Sequence, residues 1–245
     1  MAILGVPVDR VGEEEALARI ETFLQKGGAY QVVTVNPEFV MAAQRDREFL
    51  QVLRSADLSL PDGVGLLWAS RWLGVPLKER VAGVDVVRRV ARIAAKGGYR
   101  LFLLGAAEGV AEAAAERLKE ENPGLAVAGA YAGSPNPDEE REIVEMIKEA
   151  KPHILLVAYG APQQDLWIYR NRERLGVPVA MGVGGALDFI SGKARRAPGW
   201  MQRLGLEWLH RLIYEPWRWR RMLALPKFAW LVLMSPREED RKDDQ

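Results

Sequence analysis

Cysteine is absent from the 245-residue chain, which excludes disulfides, thiolate metal sites and a cysteine nucleophile at once. Histidine is nearly absent, with His153 and His210 the only two. No Asp-x-Asp pair occurs in the folded body, which removes the usual carboxylate grip on a metal-bound diphosphate. Neither a metal nor an organic cofactor is therefore expected. A Walker A pattern is missing, and so is any helical apolar run of the roughly 20 residues that a bilayer requires. Residues 1–9 carry no basic flank ahead of a long apolar stretch, so no signal peptide is expected and the chain reads as cytoplasmic, with any membrane contact peripheral. Net charge is low too, at +1, and with 49% hydrophobic residues a chain of this length buries a large core.

The low net charge conceals an asymmetry. Between Lys193 and Lys227 stand nine Lys or Arg against only Glu207 and Glu215, interleaved with Trp200, Trp208, Tyr214, Trp217 and Trp219. Acidic residues elsewhere balance them, among them Glu238, Glu239, Asp240, Asp243 and Asp244. Cations and indoles on short helical segments suit a surface that is anionic and greasy at once, as a phospholipid headgroup layer is. Such a mixture also grips single-stranded nucleic acid, but the basic excess is confined to the tail and the body has no stacking platform, so nucleic acid is not an expected partner.

Along the chain, short β-branched runs at 31–35, 58–60, 100–104, 125–131, 153–159 and 177–182 alternate with amphipathic patterns at 37–55, 84–96, 110–121, 138–149 and 163–172. This βαβα order predicts a Rossmann-like α/β fold, a mostly parallel sheet flanked by helices, with ligands bound beyond the carboxyl ends of the strands. No repeat or linker divides residues 1–192, which read as one domain. Beyond Gly192 the strand signals stop. Arg203, Glu207 and Arg211 form a polar stripe, Leu204, Trp208 and Leu212 fall on another face, and Pro216 ends that helix and starts a second. Residues 193–245 thus read as a helical, membrane-binding appendage with a disordered acidic tip past Pro236, and deletion from Arg196 onward is expected to leave the body folded.

Several strand ends carry polar residues. Asn36-Pro37-Glu38 follows the first strand as N-cap and first helical position, so an ordinary capped helix explains it; Thr34 and Asn36 would also suit a phosphate or sugar hydroxyl at a helix N-terminus. Pro61-Asp62-Gly63 is a turn signature that at the same time sets a carboxylate on the rim where a general base would stand. Arg80 and Gln164 are loop residues near element ends. Two glycine-rich turns, Gly105–Gly109 and Gly182–Ala186, could let backbone approach a diphosphate, but position 187 is Leu and no ribose-binding acid follows, so the dinucleotide fingerprint fails. His153 opens a buried strand and reads as structural.

Thr34-Val35-Asn36-Pro37-Glu38, Pro61-Asp62-Gly63-Val64-Gly65, Glu79-Arg80-Val81-Ala82-Gly83 and Gly160-Ala161-Pro162-Gln163-Gln164, in that order, resemble the TagA/WecG/CpsF glycosyltransferases (glycosyltransferase family 26). Also similar are 182–188, Arg195-Arg196-Ala197-Pro198, Leu204-Gly205-Leu206-Glu207-Trp208 and Glu215-Pro216-Trp217-Arg218, so the resemblance covers nearly the whole chain. A common family version has Lys where this chain has Gln163, which alters charge near the donor and leaves Gln164 in place.

The resemblance implies a teichoic-acid type of activity: inverting transfer of N-acetylmannosamine from its UDP donor to the 4-hydroxyl of undecaprenyl-diphosphate-linked N-acetylglucosamine. It implies Asp62 as catalytic base, Thr34, Asn36, Arg80 and Gln164 as the sugar and diphosphate pocket, and Arg211, Arg218 or Arg221 of the tail as partners of the leaving diphosphate, with no metal. The partners expected are then the UDP sugar, the lipid-diphosphate acceptor, an anionic membrane surface met by the tail at the cytoplasmic face, and a homo-oligomer off the membrane. A relative using another UDP sugar for exopolysaccharide or enterobacterial-type glycolipid, and a nucleotide-sugar sensor, stay open as alternatives; a sensor needs no base at Asp62.

Overall fold

The computed structural model describes residues 1–216 and 219–236. A small antiparallel hairpin, β1 (Ala2–Ile3) and β2 (Val6–Pro7), opens the chain and is followed by α1 (Glu13–Lys26). Three glutamates in the first turn of α1 and Lys26 in its last match the helix dipole at both ends. Then come β3 (Tyr30–Val35), α2 (Pro37–Ala43) and α3 (Arg47–Ser55). The single helix expected over 37–55 is broken because Asp46 takes an extended conformation and its side chain accepts a hydrogen bond from the Phe49 N–H, making a second N-cap. The body continues through β4 (Leu58–Pro61), α4 (Val64–Trp72), α5 (Gly83–Gly97), β5 (Arg100–Gly105), α6 (Val110–Glu121), β6 (Ala126–Tyr131), α7 (Pro137–Ala150), β7 (Ile154–Ala158), α8 (Gln163–Leu175), β8 (Val179–Gly182) and α9 (Ala186–Ile190). After it lie α10 (Gly199–Arg203), α11 (Glu207–Tyr214), α12 (Trp219–Met222) and α13 (Ala224–Leu233).

Each of the six strands expected from the sequence is present, its ends within a residue or two of the expected ones, and together they form one sheet in the order β4-β3-β8-β7-β5-β6 with every pair parallel. The Rossmann-like α/β expectation therefore holds. Alternate residues of each strand serve opposite faces. Val32, Leu101, Leu103, Ile154 and Leu156 pack with α1, α5, α6 and α9, whereas Phe102, Leu104, Leu155 and Val157 pack with α7 and α8. Val33 and Val35 join the hairpin, α2, α3 and α4 in a third cluster on that second face. Parallel strands end on one rim, so Val35, Pro61, Ala158 and Gly182 deliver their following loops to a common edge.

The tail departs from expectation. Four helices, not two, occur among its described residues, and the last of them belongs to the core. Phe228 and Val232 are fully buried in the cluster that holds Val33, Val35, Phe39 and Leu66, with α13 packed on α2 and α4. Gly65 makes room for this: a Cβ there would lie 2.7 Å from Pro37 Cγ and 3.8 Å from Phe228 Cε1. The expectation that the chain folds intact without everything from Arg196 onward is thus corrected, because the cut removes apolar cover from the second face of the sheet. The acidic residues past Pro236 lie outside the described residues.

Phe228→Ala should destabilise the protein by about 3 to 5 kcal/mol, the cost of truncating a buried aromatic. Trp230→Ala, on the same helix but 57% exposed, should stay within about 0.5 kcal/mol of the parent. Urea unfolding of the two variants checks the contrast; equal, small effects would return α13 to the status of an appendage.

Candidate active site

Asp62 stands one residue beyond β4. Its backbone N–H donates to the Val35 carbonyl at 2.7 Å, which locks the turn to the end of β3. One carboxylate oxygen, Oδ2, accepts from the Gly83 N–H at 3.1 Å, the first residue of α5. Gly83 permits this closeness, since a Cβ there would sit 3.3 Å from Thr34 Cγ2 and 3.4 Å from Asp62 Oδ2. The other oxygen, Oδ1, lies 3.6 Å from Arg80 Nε, an ion pair too long for a hydrogen bond. Burial pushes the Asp62 carboxyl above its ordinary range; the Arg80 charge and the Gly83 N–H oppose that rise and the Glu207 charge adds to it. With 29% of its side chain still exposed, Asp62 keeps an opening to solvent.

The loop bearing Arg80 is held to the same strand end by the Val81 N–H donating to the Pro61 carbonyl at 2.9 Å. Arg80 Nη2 bonds Glu207 Oε2, and its Nε is buried without a hydrogen bond among the described residues. Thr34 donates its hydroxyl to the Gly182 carbonyl at 3.2 Å, tying β3 to β8 beneath the rim. Asn36 caps α2, its Oδ1 accepting from the Phe39 N–H at 3.0 Å, and it borders Gly63, whose Cβ would fall 3.7 Å from Asn36 Cβ.

Gln164 is buried at the start of α8 and accepts from the Gly184 N–H at 2.8 Å, so it braces the turn after β8. A Cβ on Gly182 would approach its Nε2 to 2.6 Å. Beside it Asp165 is fully buried, with neither carboxylate oxygen in hydrogen-bond geometry to any described residue. Burial pushes this carboxyl up to about 7, the Gln164 amide offsetting part of the rise. Gln31, also fully buried, donates to the Asp165 carbonyl at 3.0 Å, which completes a polar layer under the rim.

The tail closes over this edge. The turn at Gly205 sits so tightly on Val64 that no side chain would fit there. Arg211 of α11 lies against Gly185 and 4.9 Å above the Phe189 ring, with its Nε 3.6 Å from Glu215 Oε2. Of the two glycine-rich turns, the one following β8 therefore shares the rim with Gln164 and Arg211, while Gly105 packs against Ala158 and Tyr159. Arg218 and the side chain of Arg221 lie outside the described residues, as does Trp217. His153 accepts from the Arg100 N–H at 3.0 Å at the strand starts, remote from the rim.

Asp62, Arg80, Thr34, Asn36, Gln164 and Arg211 thus meet at one edge. Sequence reasoning did not single out Arg196, Asp85 or Glu207 for this region. Arg196 clamps Asp85 through two bonds of 2.6 and 2.7 Å and donates from Nε to Glu207 Oε1 at 3.2 Å. The available signal was slight: Glu207 is one of only two acids between Lys193 and Lys227, and Asp85 sits in the first turn of α5.

A profile of the Glycosyl transferase WecG/TagA/CpsF family matches residues 1–242. Over 219 residues, 89% of this chain and 83% of the relative, the protein is 41% identical to the N-acetylglucosaminyldiphosphoundecaprenol N-acetyl-beta-D-mannosaminyltransferase of Bacillus subtilis (strain 168). Identity to the similarly named protein of Bacillus spizizenii is 38% over 216 residues, 88% of this chain and 83% of the relative. To that of Staphylococcus aureus (strain NCTC 8325) it is 32% over 238 residues, 96% of this chain and 93% of the relative. The likeness runs through both the strand-end loops and the helices that close over them, and the chain belongs to the WecG/TagA/CpsF family of glycosyl transferases.

Proposed function

We propose that the protein is an inverting, metal-independent transferase that moves N-acetylmannosamine from UDP-N-acetylmannosamine to the 4-hydroxyl of undecaprenyl-diphosphate-linked N-acetylglucosamine, with Asp62 as general base. The observation that carries the chemistry is the Asp62 carboxylate: desolvated yet partly exposed, with Oδ2 held by the Gly83 N–H and Oδ1 3.6 Å from Arg80 Nε. The activities for which the relatives are named support the sugar and the lipid acceptor. In the reaction the acceptor's O4 forms a bond to the anomeric carbon as the bond from that carbon to the diphosphate oxygen breaks. Asp62 takes the hydroxyl proton, and UDP leaves with its electron pair and gains negative charge.

That charge needs cationic and N–H partners. Arg80 and Arg211 stand at the rim, and the turn 182–186 is our choice of diphosphate cradle because Gln164 braces it and Arg211 covers it. Metal independence is supported by the missing Asp-x-Asp pair and by the fact that no three His, Asp or Glu side chains gather as a ligand set among the described residues.

Among the described residues no helix is long and apolar enough to cross a membrane. The exposed large apolar side chains among the described residues nevertheless fall mainly in the tail, from Trp200, Leu204 and Trp208 through Ile213 and Trp219 to Trp230 and Met234, with Val64 and Trp68 on α4. We assign this face to peripheral contact with an anionic bilayer at the cytoplasmic side, where the lipid-linked acceptor presents its sugar. A membrane-docked site would also keep water from hydrolysing the donor.

Four outcomes are expected. Asp62→Asn should lower kcat about 10² to 10⁴ fold with donor affinity little changed, as initial rates and donor titration would register. In the parent, kcat should rise with pH through a midpoint above the ordinary carboxylate range, because only the ionised base accepts a proton. Activity on UDP-N-acetylmannosamine and a short-chain lipid-diphosphate GlcNAc, followed by UDP release, should survive EDTA; strict dependence on Mg²⁺ or Mn²⁺ would sink the metal-free mechanism. Trp200→Ala combined with Trp219→Ala should reduce cosedimentation with anionic liposomes while sparing turnover on that short-chain acceptor, and an unchanged liposome bound fraction would remove α10 and α12 from the docking face.

A further inference from the structure

From Asp62 into the tail, charges alternate without a break: Asp62, Arg80, Glu207, Arg196, Asp85. Every member is largely shielded, Asp85 being the most exposed at 38% of its side chain. Within this chain the two guanidiniums behave differently. Arg196 makes a closed, two-bond clamp on Asp85 and spends its Nε on Glu207. Arg80 has the same donors and a carboxylate in reach, yet forms no such clamp on Asp62. Its Nη2 is committed to Glu207 and its Nε is left 3.6 Å from Oδ1, with no hydrogen bond among the described residues. A planar guanidinium that closed onto Asp62 would make two short bonds, occupy Oδ1 and weaken the carboxylate as a base. Since Oδ2 is already taken by the Gly83 N–H, Oδ1 is the oxygen left for a substrate proton.

We propose that Glu207 is a positioning residue for the transfer: shared between Arg80 and Arg196, it engages Arg80 through Nη2, keeps the guanidinium from closing onto Asp62 and leaves Oδ1 open. The inference rests on the reading of Asp62 as general base. It gives α11 a task beyond covering the rim, because the base is ready only when the tail helix is seated. The charged groups involved are few. Asp62 is faced by Arg80 from the loop before α5, by the α5 N-terminus and by Glu207 from α11; Glu207 is faced by Arg80 and Arg196, with Asp85 beyond the latter. Glu207 adds to the upward displacement of Asp62 and Arg80 opposes it, so losing Glu207 acts twice in one direction, by removing a negative charge and by releasing Arg80.

The test is carbon-13 NMR titration of aspartate carboxyls in the full-length, ligand-free protein, with the Asp62 signal assigned by its loss in Asp62→Asn. Glu207→Gln should move the Asp62 midpoint downward, shift the acid limb of the kcat profile the same way, and lower the high-pH plateau roughly tenfold without lowering donor KM. In an Arg80→Gln background the Glu207→Gln shift should shrink, since the route through Arg80 is gone. Glu207→Asp, which retains the charge, should recover part of the parent midpoint. Should Glu207→Gln not fold, as judged by circular dichroism, Arg196→Gln leaves Glu207 wholly to Arg80 and the Asp62 midpoint should rise. An Asp62 midpoint that stays or rises in folded Glu207→Gln, or an equal shift in both backgrounds, overturns the positioning role. So does a lowered donor KM, which would make Glu207 a competitor of the diphosphate. Failure of the underlying reading is separate and visible: near-normal turnover in Asp62→Asn.

Discussion

A parallel sheet whose strands are apolar on both sides has to be covered on both sides, and most of this architecture answers that demand. One face is closed by α1, α5, α6 and α9. The other is wider and needs the N-terminal hairpin, α2, α3, α4, α7 and α8, and finally α13, which brings Phe228 and Val232 back from the end of the described chain. The same parallelism fixes where chemistry is done. All strand ends of one polarity share an edge, so residues far apart in the chain arrive together on loops that a rigid sheet holds still.

At that edge two carboxyls are taken out of water and meet different fates. Asp165 is buried beside Gln164 with no cation among the described residues acting on it, and burial, only partly offset by Gln164, pushes it up to about 7. Asp62 keeps an opening to solvent and an arginine nearby, so its desolvation is partly offset and its charge can be used. The difference is one of company rather than of residue type, as expected when burial and neighbouring charge compete. Because Glu207 contributes to that competition from α11, the tail shapes the electrostatics of the body as well as its cover.

Much of this was legible in the chain itself. Strands such as 31–35 and 100–104 are short β-branched or leucine runs bounded by turn residues, and their period differs from that of helices such as α5. The strand-end polar residues were legible too, since Asn36-Pro37 and Pro61-Asp62-Gly63 act through local backbone rules. Less legible were the break at Asp46, where an acid among other charged residues gave no sign that it caps a second helix, and α13, whose apolar composition suits a bilayer surface and a core equally well.

What the sequence by itself determined is the alternation of elements and the identity of the residues at their ends, because both follow from preferences that span a few positions. Only the tertiary structure decided that Glu207 would meet Arg80 across 127 positions and Arg196 would meet Asp85 across 111. Ion pairs at that separation leave no periodic trace; they exist because the sheet, once covered, holds α5 and α11 at the same rim, and the desolvation there makes each unpaired charge costly enough to require a partner.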